Sequence, residues 1–210
     1  MIAIVDYKAG NLRSVERALK KLGLSCRVTA DTREIAAAER IVFPGVGAAG
    51  SAMRDLMELG IGRVIKEAFL SGKPILGICL GAQIVLDRSE ENETVCLGLV
   101  RGEVKKFPDY NAGEVRLKIP HMGWNRIIIK RSHPVLEGIK EDEEMYFVHS
   151  YYPSPADRSS VIAETDYGFL FPSVIGCRSL IATQFHLEKS GNAGLRILKN
   201  FCEWDGRRAQ

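Results

Sequence analysis

The stretch that decides the fold of this chain is Ile75-Leu76-Gly77-Ile78-Cys79-Leu80-Gly81. It is an apolar run with a cysteine between two glycines, and a helix-compatible run from Ala82 to Leu86 follows it. A strand that enters a helix through G-x-nucleophile-x-G has the form of a nucleophile elbow. The turn is too tight for side chains two residues to either side of the nucleophile, so glycine is required there. The pattern predicts a strained, accessible Cys79 at the end of a strand.

The chain upstream of this stretch alternates short apolar strands with helical patterns. The predicted strands are Ile2 to Val5, Ser25 to Thr29, Ile41 to Phe43 and Ile75 to Ile78, and the predicted helices include Leu12 to Leu22, Met53 to Met57 and Val64 to Phe69. Such alternation implies βαβ units and an α/β fold with a mostly parallel central sheet flanked by helices. Ligands gather at the carboxyl ends of such strands, so we expect function in the loops after Val5, Phe43 and Ile78.

The second half changes to short runs with polar alternation, which predict an added antiparallel β portion on the main sheet. These runs are Val104 to Phe107, Val115 to Ile119 and Ile127 to Ile129. Further predicted strands continue the β-rich part at Met145 to Val148, Val161 to Glu164, Val174 to Ile175 and Ile181 to Phe185. A helix from Gly191 to Trp204 closes the pattern. No internal repeat or low-complexity segment is visible, so a single domain over residues 1–210 is predicted.

Composition excludes several classes of partner. The net charge is only +3, and no run of lysine and arginine exceeds two residues. Nucleic-acid sites need concentrated positive charge, so no nucleic-acid partner is predicted. No apolar stretch approaches the roughly 20 residues that span a bilayer, and Met1 to Asp6 lack the features of a signal peptide. We therefore expect a cytoplasmic location and no membrane partner.

The five cysteines are scattered and odd in number, and none forms a C-x-x-C pair. A disulfide framework and a zinc site are therefore not predicted. No metal site and no cofactor are expected. The cysteines are Cys26, Cys79, Cys96, Cys177 and Cys202.

A cysteine nucleophile needs a base, and the base benefits from an acid that orients it. His186 and Glu188 supply both if the run from Ile181 to Glu188 stays extended, because a period of two sends them to the same face. A helix that begins after Cys79 favours the thiolate, and the Leu80 N–H would face a developing oxyanion. The remaining histidines fit less well, since they adjoin loop-like segments or lack an acid at alternate spacing: His121, His133 and His149.

The elbow together with His186-x-Glu188 resembles the catalytic triad of the class I glutamine amidotransferases. Further segments, in the same order and over the full length, are similar to the glutaminase subunits of imidazole glycerol phosphate synthases. These segments are Asp6-Tyr7, Gly10-Asn11-Leu12-Arg13-Ser14-Val15, Pro44-Gly45-Val46-Gly47, Pro120-His121-Met122-Gly123-Trp124-Asn125, Tyr146-Phe147-Val148-His149-Ser150-Tyr151-Tyr152 and Gln184-Phe185-His186-Leu187-Glu188-Lys189-Ser190.

The resemblance implies roles for these positions. Cys79 would attack the glutamine side-chain amide and form a γ-glutamyl thioester, with His186 as proton shuttle and Glu188 orienting it. Val46 or Gly47 would give a second oxyanion N–H. Glutamine would be held by Gly47, Gln83, Ser150 and Tyr151, and the partner interface would include Asn11, Met122, Trp124, Tyr146 and Lys189.

The chain departs from the family pattern at Leu187, where related enzymes usually have proline between the histidine and the acid. Proline would fix φ and remove an N–H. Leucine loses that rigidity but keeps the spacing of His186 and Glu188, so we expect the triad to survive.

The chain shows no second chemistry that could consume ammonia, so the acceptor is expected on another chain. The resemblance implies a (β/α)₈-barrel cyclase that makes imidazole glycerol phosphate in histidine biosynthesis, and activity that depends on that partner's substrate. Three alternatives stay open at this point. They are a paralogous glutaminase that feeds a different acceptor, as in surface-sugar biosynthesis, a stand-alone cysteine hydrolase, and a non-enzymatic subunit with a vestigial elbow.

Overall fold

The computed structural model describes residues 1–8, 10–108, 111–112 and 115–207. Its strands are β1 (Ile2–Val5), β2 (Cys26–Thr29), β3 (Arg40–Gly45), β4 (Ile75–Cys79), β5 (Arg88–Ser89), β6 (Thr94–Val95), β7 (Gly102–Lys106), β8 (Asn111–Ala112), β9 (Val115–Arg116), β10 (His121–Arg126), β11 (Ile128–Ile129), β12 (Glu144–His149), β13 (Tyr151–Pro155), β14 (Val161–Asp166), β15 (Leu170–Cys177) and β16 (Leu180–Thr183).

The α-helices are α1 (Leu12–Lys21), α2 (Thr32–Ala37), α3 (Ala49–Glu58), α4 (Ile61–Leu70), α5 (Leu80–Ile84) and α6 (Gly191–Glu203). Single turns of 3-10 helix lie at Glu91–Glu93, Pro134–Leu136, Arg158–Ser160 and Leu187–Lys189.

An eight-stranded sheet organises the fold, in the order β11-β14-β15-β16-β4-β3-β1-β2. The strands from β16 to β2 run parallel, whereas β15, β14 and β11 are added antiparallel at one edge. The predicted fold class, a mostly parallel sheet with helices and an antiparallel portion from the second half, is confirmed.

One detail of the prediction was wrong. The run from Val104 to Phe107 does not join the main sheet: β7 pairs with β13 and β5 in a separate four-stranded sheet. Likewise, among the residues that the structure describes, β10 pairs with β12 and β8 pairs with β9, both outside the main sheet. Alternation of apolar and polar residues specifies which face of a strand is buried. It does not specify which strand lies next to it. That choice depends here on pairing between segments that are far apart in the sequence.

Strand alternation divides the interior into two cores, one on each face of the main sheet. Phe43 lies in the core covered by α3, α4 and α5, while the neighbouring residue Val42 lies in the core covered by α1 and α6. Strand β4 is buried along its whole length. It therefore reads as a continuous apolar run, as expected for a central parallel strand.

Helix α1 has the apolar stripe and the terminal glycine that its sequence predicted. Val15, Ala18 and Leu19 are buried on one stripe, and Gly23, with φ 74°, follows the last turn. A left-handed residue just after a helix satisfies its last carbonyls and is most easily glycine. The predicted stop at Gly23 is confirmed.

Within the described ranges, no helix combines the length and apolarity needed to cross a bilayer. The same residues contain no group of three or more His, Cys, Asp or Glu side chains arranged to hold a metal ion.

Candidate active site

Cys79 is the last residue of β4 and immediately precedes α5, with φ 55° and ψ −106°. Positive φ is strained for a residue with a side chain. A Cβ atom on Gly81 would lie 1.9 Å from the Phe43 carbonyl oxygen, and one on Gly77 would lie 2.9 Å from the Gly81 carbonyl oxygen. The two glycines therefore let the chain turn against β3, and the turn presents the Cys79 sulfur at the carboxyl end of the sheet.

His186 and Glu188 meet beyond the end of β16. Nδ1 of His186 lies 2.8 Å from Oε1 of Glu188, and both side chains are buried. The condition under which the sequence analysis paired them, an extended run to Glu188, is not met, because Leu187–Lys189 forms a 3-10 turn closed by a bond from the Lys189 N–H to the His186 carbonyl. The turn, rather than strand alternation, brings the carboxylate to the ring.

The surroundings of His186 act on its pKa in opposite directions. Burial lowers the pKa, but hydrogen bonding to the Cys79 thiol and to Glu188 outweighs burial and raises it to about 9. By geometry, the buried Nε2 has no hydrogen-bond partner within the usual distance. The geometry and the pKa together indicate a long contact with sulfur, as is common before substrate binds. Nδ1 is held by the acid, and Nε2 is left to exchange a proton with the thiol.

Asn11 precedes α1 and adopts a left-handed conformation, with φ 74°. Its side-chain amide donates a hydrogen bond to Oε1 of Glu188. The sequence analysis assigned Asn11 to a partner interface and missed this contact. No local sequence pattern predicts this contact, because 177 residues separate the two side chains.

A cavity of about 280 Å³ opens beside the nucleophile. Its wall contains every residue expected to bind glutamine or to stabilise an oxyanion, and it is formed by Val46, Gly47, Cys79, Leu80, Gln83, Glu91, Val148, His149, Ser150, Tyr151 and His186. Gln83 Nε2 donates to the Tyr151 carbonyl at 2.9 Å and to Oε1 of Gln184 at 3.1 Å. A depression of about 720 Å³ between α3, α4 and β6 is larger, but its wall contains no histidine.

Glu91 is a wall residue that sequence reasoning missed. Its Oε2 accepts a bond from the Ala49 N–H at 2.6 Å, at the start of α3. The sequence offers only a cluster of acids, Glu90, Glu91 and Glu93, with nothing that singles out the middle one. Tertiary packing alone brings this carboxylate to the cavity.

The sequence matches the family described as glutamine amidotransferase class-I over residues 3–204. The chain belongs to the class-I glutamine amidotransferases. A solved structure titled as a crystal structure of glutamine amidotransferase superposes with a TM-score of 0.74, covering 97% of this chain and 98% of that one, at 19% identity. At that identity the likeness supports the fold alone.

Curated relatives narrow the comparison within the class-I glutamine amidotransferases. The chain is 51% identical to imidazole glycerol phosphate synthase subunit HisH of Nitratidesulfovibrio vulgaris (strain DSM 19637 / Miyazaki F), over 96% of this chain and 95% of the relative. It is 47% identical to the subunit of the same name from Aromatoleum aromaticum, over 97% and 98% of the two chains.

In this class-I amidotransferase, four residues expected at a partner interface form one surface next to the triad. Met122 and Trp124 are 61% and 53% exposed, Trp124 packs edge-on against Tyr146 at 5.8 Å, and Lys189 Nζ lies 5.5 Å from the centre of the Tyr146 ring. We call this surface the Trp124 face. It borders the site directly, because the His186 N–H donates to the Tyr146 carbonyl at 2.9 Å.

Two further histidines of the amidotransferase form a buried pair. Nδ1 of His121 lies 3.0 Å from Nε2 of His149, and Nδ1 of His149 lies 2.8 Å from the Tyr151 carbonyl oxygen. Burial lowers the pKa of His121 to about 4 and that of His149 to about 3. Both rings are therefore neutral at pH 7. His149 lines the cavity and supports its wall through the Tyr151 carbonyl, which the sequence did not indicate.

Proposed function

We propose that this chain is the glutamine-hydrolysing subunit of an imidazole glycerol phosphate synthase, which supplies ammonia to a cyclase subunit in histidine biosynthesis. The observation that carries the proposal is the buried Cys79, His186 and Glu188 constellation at the wall of a cavity. Identity of 51% to a subunit of that synthase, over nearly the full length of both chains, supports the pathway.

The reaction follows from the arrangement of the three side chains. The Cys79 proton passes to His186, whose raised pKa favours the protonated ring, and the sulfur then attacks the amide carbon of glutamine. The same proton goes to the departing nitrogen. Ammonia leaves, and a γ-glutamyl thioester remains on the sulfur. His186 next deprotonates a water that attacks the thioester, which releases glutamate and returns the proton to the sulfur. Glu188 keeps Nδ1 occupied, so that Nε2 carries out each transfer.

Stabilisation of the tetrahedral oxyanion is assigned to backbone N–H groups. Leu80 is the first residue of α5, whose helix dipole favours negative charge at this end. Val46 and Gly47 line the cavity in the loop after β3 and would supply the second donor. A pair of such donors contributes to the rate because they are already oriented before charge develops.

Substrate binding is assigned to the polar wall of the cavity. Gly47, Gln83, Ser150 and Tyr151 lie there, as the family resemblance implies. We add Glu91, whose carboxylate offers the negative charge that the α-ammonium group of glutamine requires. A charged hydrogen bond of this kind contributes about 1.5–3 kcal/mol.

The partner is proposed to be a (β/α)₈-barrel cyclase subunit that docks on the Trp124 face and the nearby Asn11. This surface is exposed, apolar and aromatic, which is typical of the core of a protein interface. Its contact with His186 through Tyr146 gives released ammonia a short path to the partner. The proposal also includes one domain over residues 1–210 and a cytoplasmic location, consistent with free cysteines throughout the described chain.

The test is glutamate release from glutamine by the purified chain, alone and with the cyclase subunit and that subunit's nucleotide substrate. We expect strong stimulation by the loaded partner, lost in Cys79→Ala. Cys177→Ala is the matched control, since Cys177 is a free thiol at the far end of β15 and outside the cavity wall. If the partner gave no stimulation while a glutamine-like electrophile still labelled Cys79, the assigned partner would be contradicted. Loss of labelling as well would contradict the glutaminase.

A further inference from the structure

Tyr7 follows β1 and is completely buried beneath the nucleophile elbow. Its ring lies 5.0 Å from that of Phe43. Its hydroxyl lies against Gly45, since a Cβ atom on Gly45 would be 1.9 Å from Oη and 3.1 Å from the Cβ of Leu80. Tyr7 is not part of the cavity wall. The hydroxyl therefore contacts, from the protein interior, the segment Gly45 to Gly47, which we call the oxyanion loop.

The Tyr7 hydroxyl has no hydrogen-bond partner among the residues that the structure describes. Buried polar groups in folded proteins are almost always paired, so such a group needs an explanation. Burial raises the pKa of Tyr7, and the neighbouring Cys79 raises it further. The hydroxyl thus keeps its proton and is available as a donor at any pH at which the enzyme works.

The loop above Tyr7 also has unmet hydrogen-bonding capacity. In the described part of the chain, the backbone groups of Val46 and Gly47 make no hydrogen bond outside the strand pairing. Val46 is 39% exposed and lies between two glycines, and Gly47 has φ 99°. Glycine on both sides lets the peptides around Val46 rotate at low steric cost.

The strand pairing shows which way the Gly45 carbonyl points. The Ile41 N–H donates to the Pro74 carbonyl, which sets alternate residues of β3 to bond with β4. Gly45 is in register with Cys79, so its carbonyl faces the N–H of the next residue, Leu80. That N–H is one of the proposed oxyanion donors.

We propose that Tyr7 is a positioning residue for the oxyanion loop and that its hydroxyl donates a hydrogen bond to the Gly45 carbonyl when glutamine is bound. The inference rests on the proposed function. Rotation of the Gly45–Val46 peptide takes the carbonyl away from Leu80 and toward β1, which lies on the other side of β3. In a trans peptide the C=O and N–H point in opposite directions. The same rotation therefore turns the Val46 N–H toward the cavity, where it joins the Leu80 N–H as the second oxyanion donor.

The test is Tyr7→Phe in the complex with the cyclase subunit, which removes only the hydroxyl. We expect kcat for glutamine hydrolysis to fall at least tenfold, with KM within twofold, because an oxyanion donor acts mainly in the transition state. The midpoint of thermal unfolding should stay equal or rise, since an unpaired buried hydroxyl is removed. A merely structural tyrosine would instead lower the unfolding midpoint and leave kcat unaltered.

Two probes of Cys79 sharpen the readout. A γ-aldehyde analogue of glutamine forms a tetrahedral adduct with an oxyanion, so its affinity should fall in parallel with kcat. Iodoacetamide alkylates the thiol without forming an oxyanion, so its rate should stay within twofold. Tyr167→Phe is the control, because that hydroxyl already bonds the Lys118 carbonyl at 2.7 Å. The control should lose stability and keep kcat.

An active wild-type complex whose kcat is unchanged by Tyr7→Phe would overturn the role of Tyr7 and leave the proposed function intact. Equal loss in aldehyde binding and in iodoacetamide alkylation would also overturn it, since the effect would then lie on the thiol. A wild-type complex without glutaminase activity would overturn the proposed function and this inference with it.

Discussion

Substitution of Gly81 by alanine tests the claim that the nucleophile elbow depends on the close approach of α5 to β3. The added Cβ would lie 1.9 Å from the Phe43 carbonyl oxygen, which is a backbone atom in a paired central strand. A carbon and a carbonyl oxygen in normal contact are about 3.3 Å apart or more. One of the two elements must therefore move by more than about 1 Å.

The cost of that movement can be bounded. Overpacking a close-packed interior costs typically 1–3 kcal/mol and occasionally more. A clash with backbone in a fully buried strand belongs at the upper end of that range, so we expect a loss of about 3 kcal/mol in the free energy of unfolding. With an m-value of about 2 kcal/mol/M, the urea midpoint should fall by about 1.5 M.

The assay is urea denaturation followed by circular dichroism, with Gly72→Ala as the matched control. Gly72 has φ 81°, and a Cβ atom there would meet nothing within 4 Å. The control therefore isolates the cost of a left-handed alanine, about 1–2 kcal/mol, partly offset by reduced freedom of the unfolded chain. Its midpoint should fall by about 0.5 M.

A loss in Gly81→Ala no greater than in Gly72→Ala would refute the reasoning. It would mean that α5 withdraws from Phe43 at little cost and that steric closeness does not hold the strained Cys79 turn. The glutaminase rate is a secondary readout, because any shift of the elbow also moves the sulfur relative to His186.

Three further expectations follow from the site. Glu188→Gln should lower the pKa of His186 below about 9, because the carboxylate no longer offsets the effect of burial, and should slow hydrolysis about a hundredfold. An NMR titration of the imidazole that shows an unchanged pKa would contradict this. The folded pKa values of His121 and His149, about 4 and 3, lie below the ordinary 6.5, so the unfolded chain binds more protons below pH 6.5. The contribution of this pair to stability should hold constant above that pH and decline as pH falls toward 4, and a urea midpoint equal at pH 7 and pH 5 would count against the buried neutral pair. Glu91→Gln should raise KM for glutamine about tenfold with little change in kcat, and an unaltered KM in steady-state assays would remove Glu91 from the substrate site.

The fold was accessible from the sequence wherever a pattern is local. Apolar strands, helical spacing and the stop at Gly23 each involve residues within one or two turns of the chain. The pairing of β7 with β13 was not accessible, because alternation shows a buried face and leaves the neighbour open. The sheet to which a short polar strand belongs depends on closure of loops far along the chain.

The candidate site likewise has features that the sequence predicted and contacts that it did not predict. Glycine spacing marked the elbow around Cys79, and the short interval between His186 and Glu188 marked their pairing, although a 3-10 turn and not an extended strand achieves it. The contacts of Asn11 and Tyr7 with the site leave no such trace.

The sequence by itself determined the parallel α/β architecture, the tight turn at Cys79 and the adjacency of His186 and Glu188, because each depends on backbone geometry over a few residues. Only the tertiary structure decided that these two segments share one cavity and that Asn11 bonds the acid. The physical reason is that β16 lies beside β4 in the sheet although about a hundred residues separate them. Burial then sets the protonation of His186, and no local pattern encodes burial of that kind.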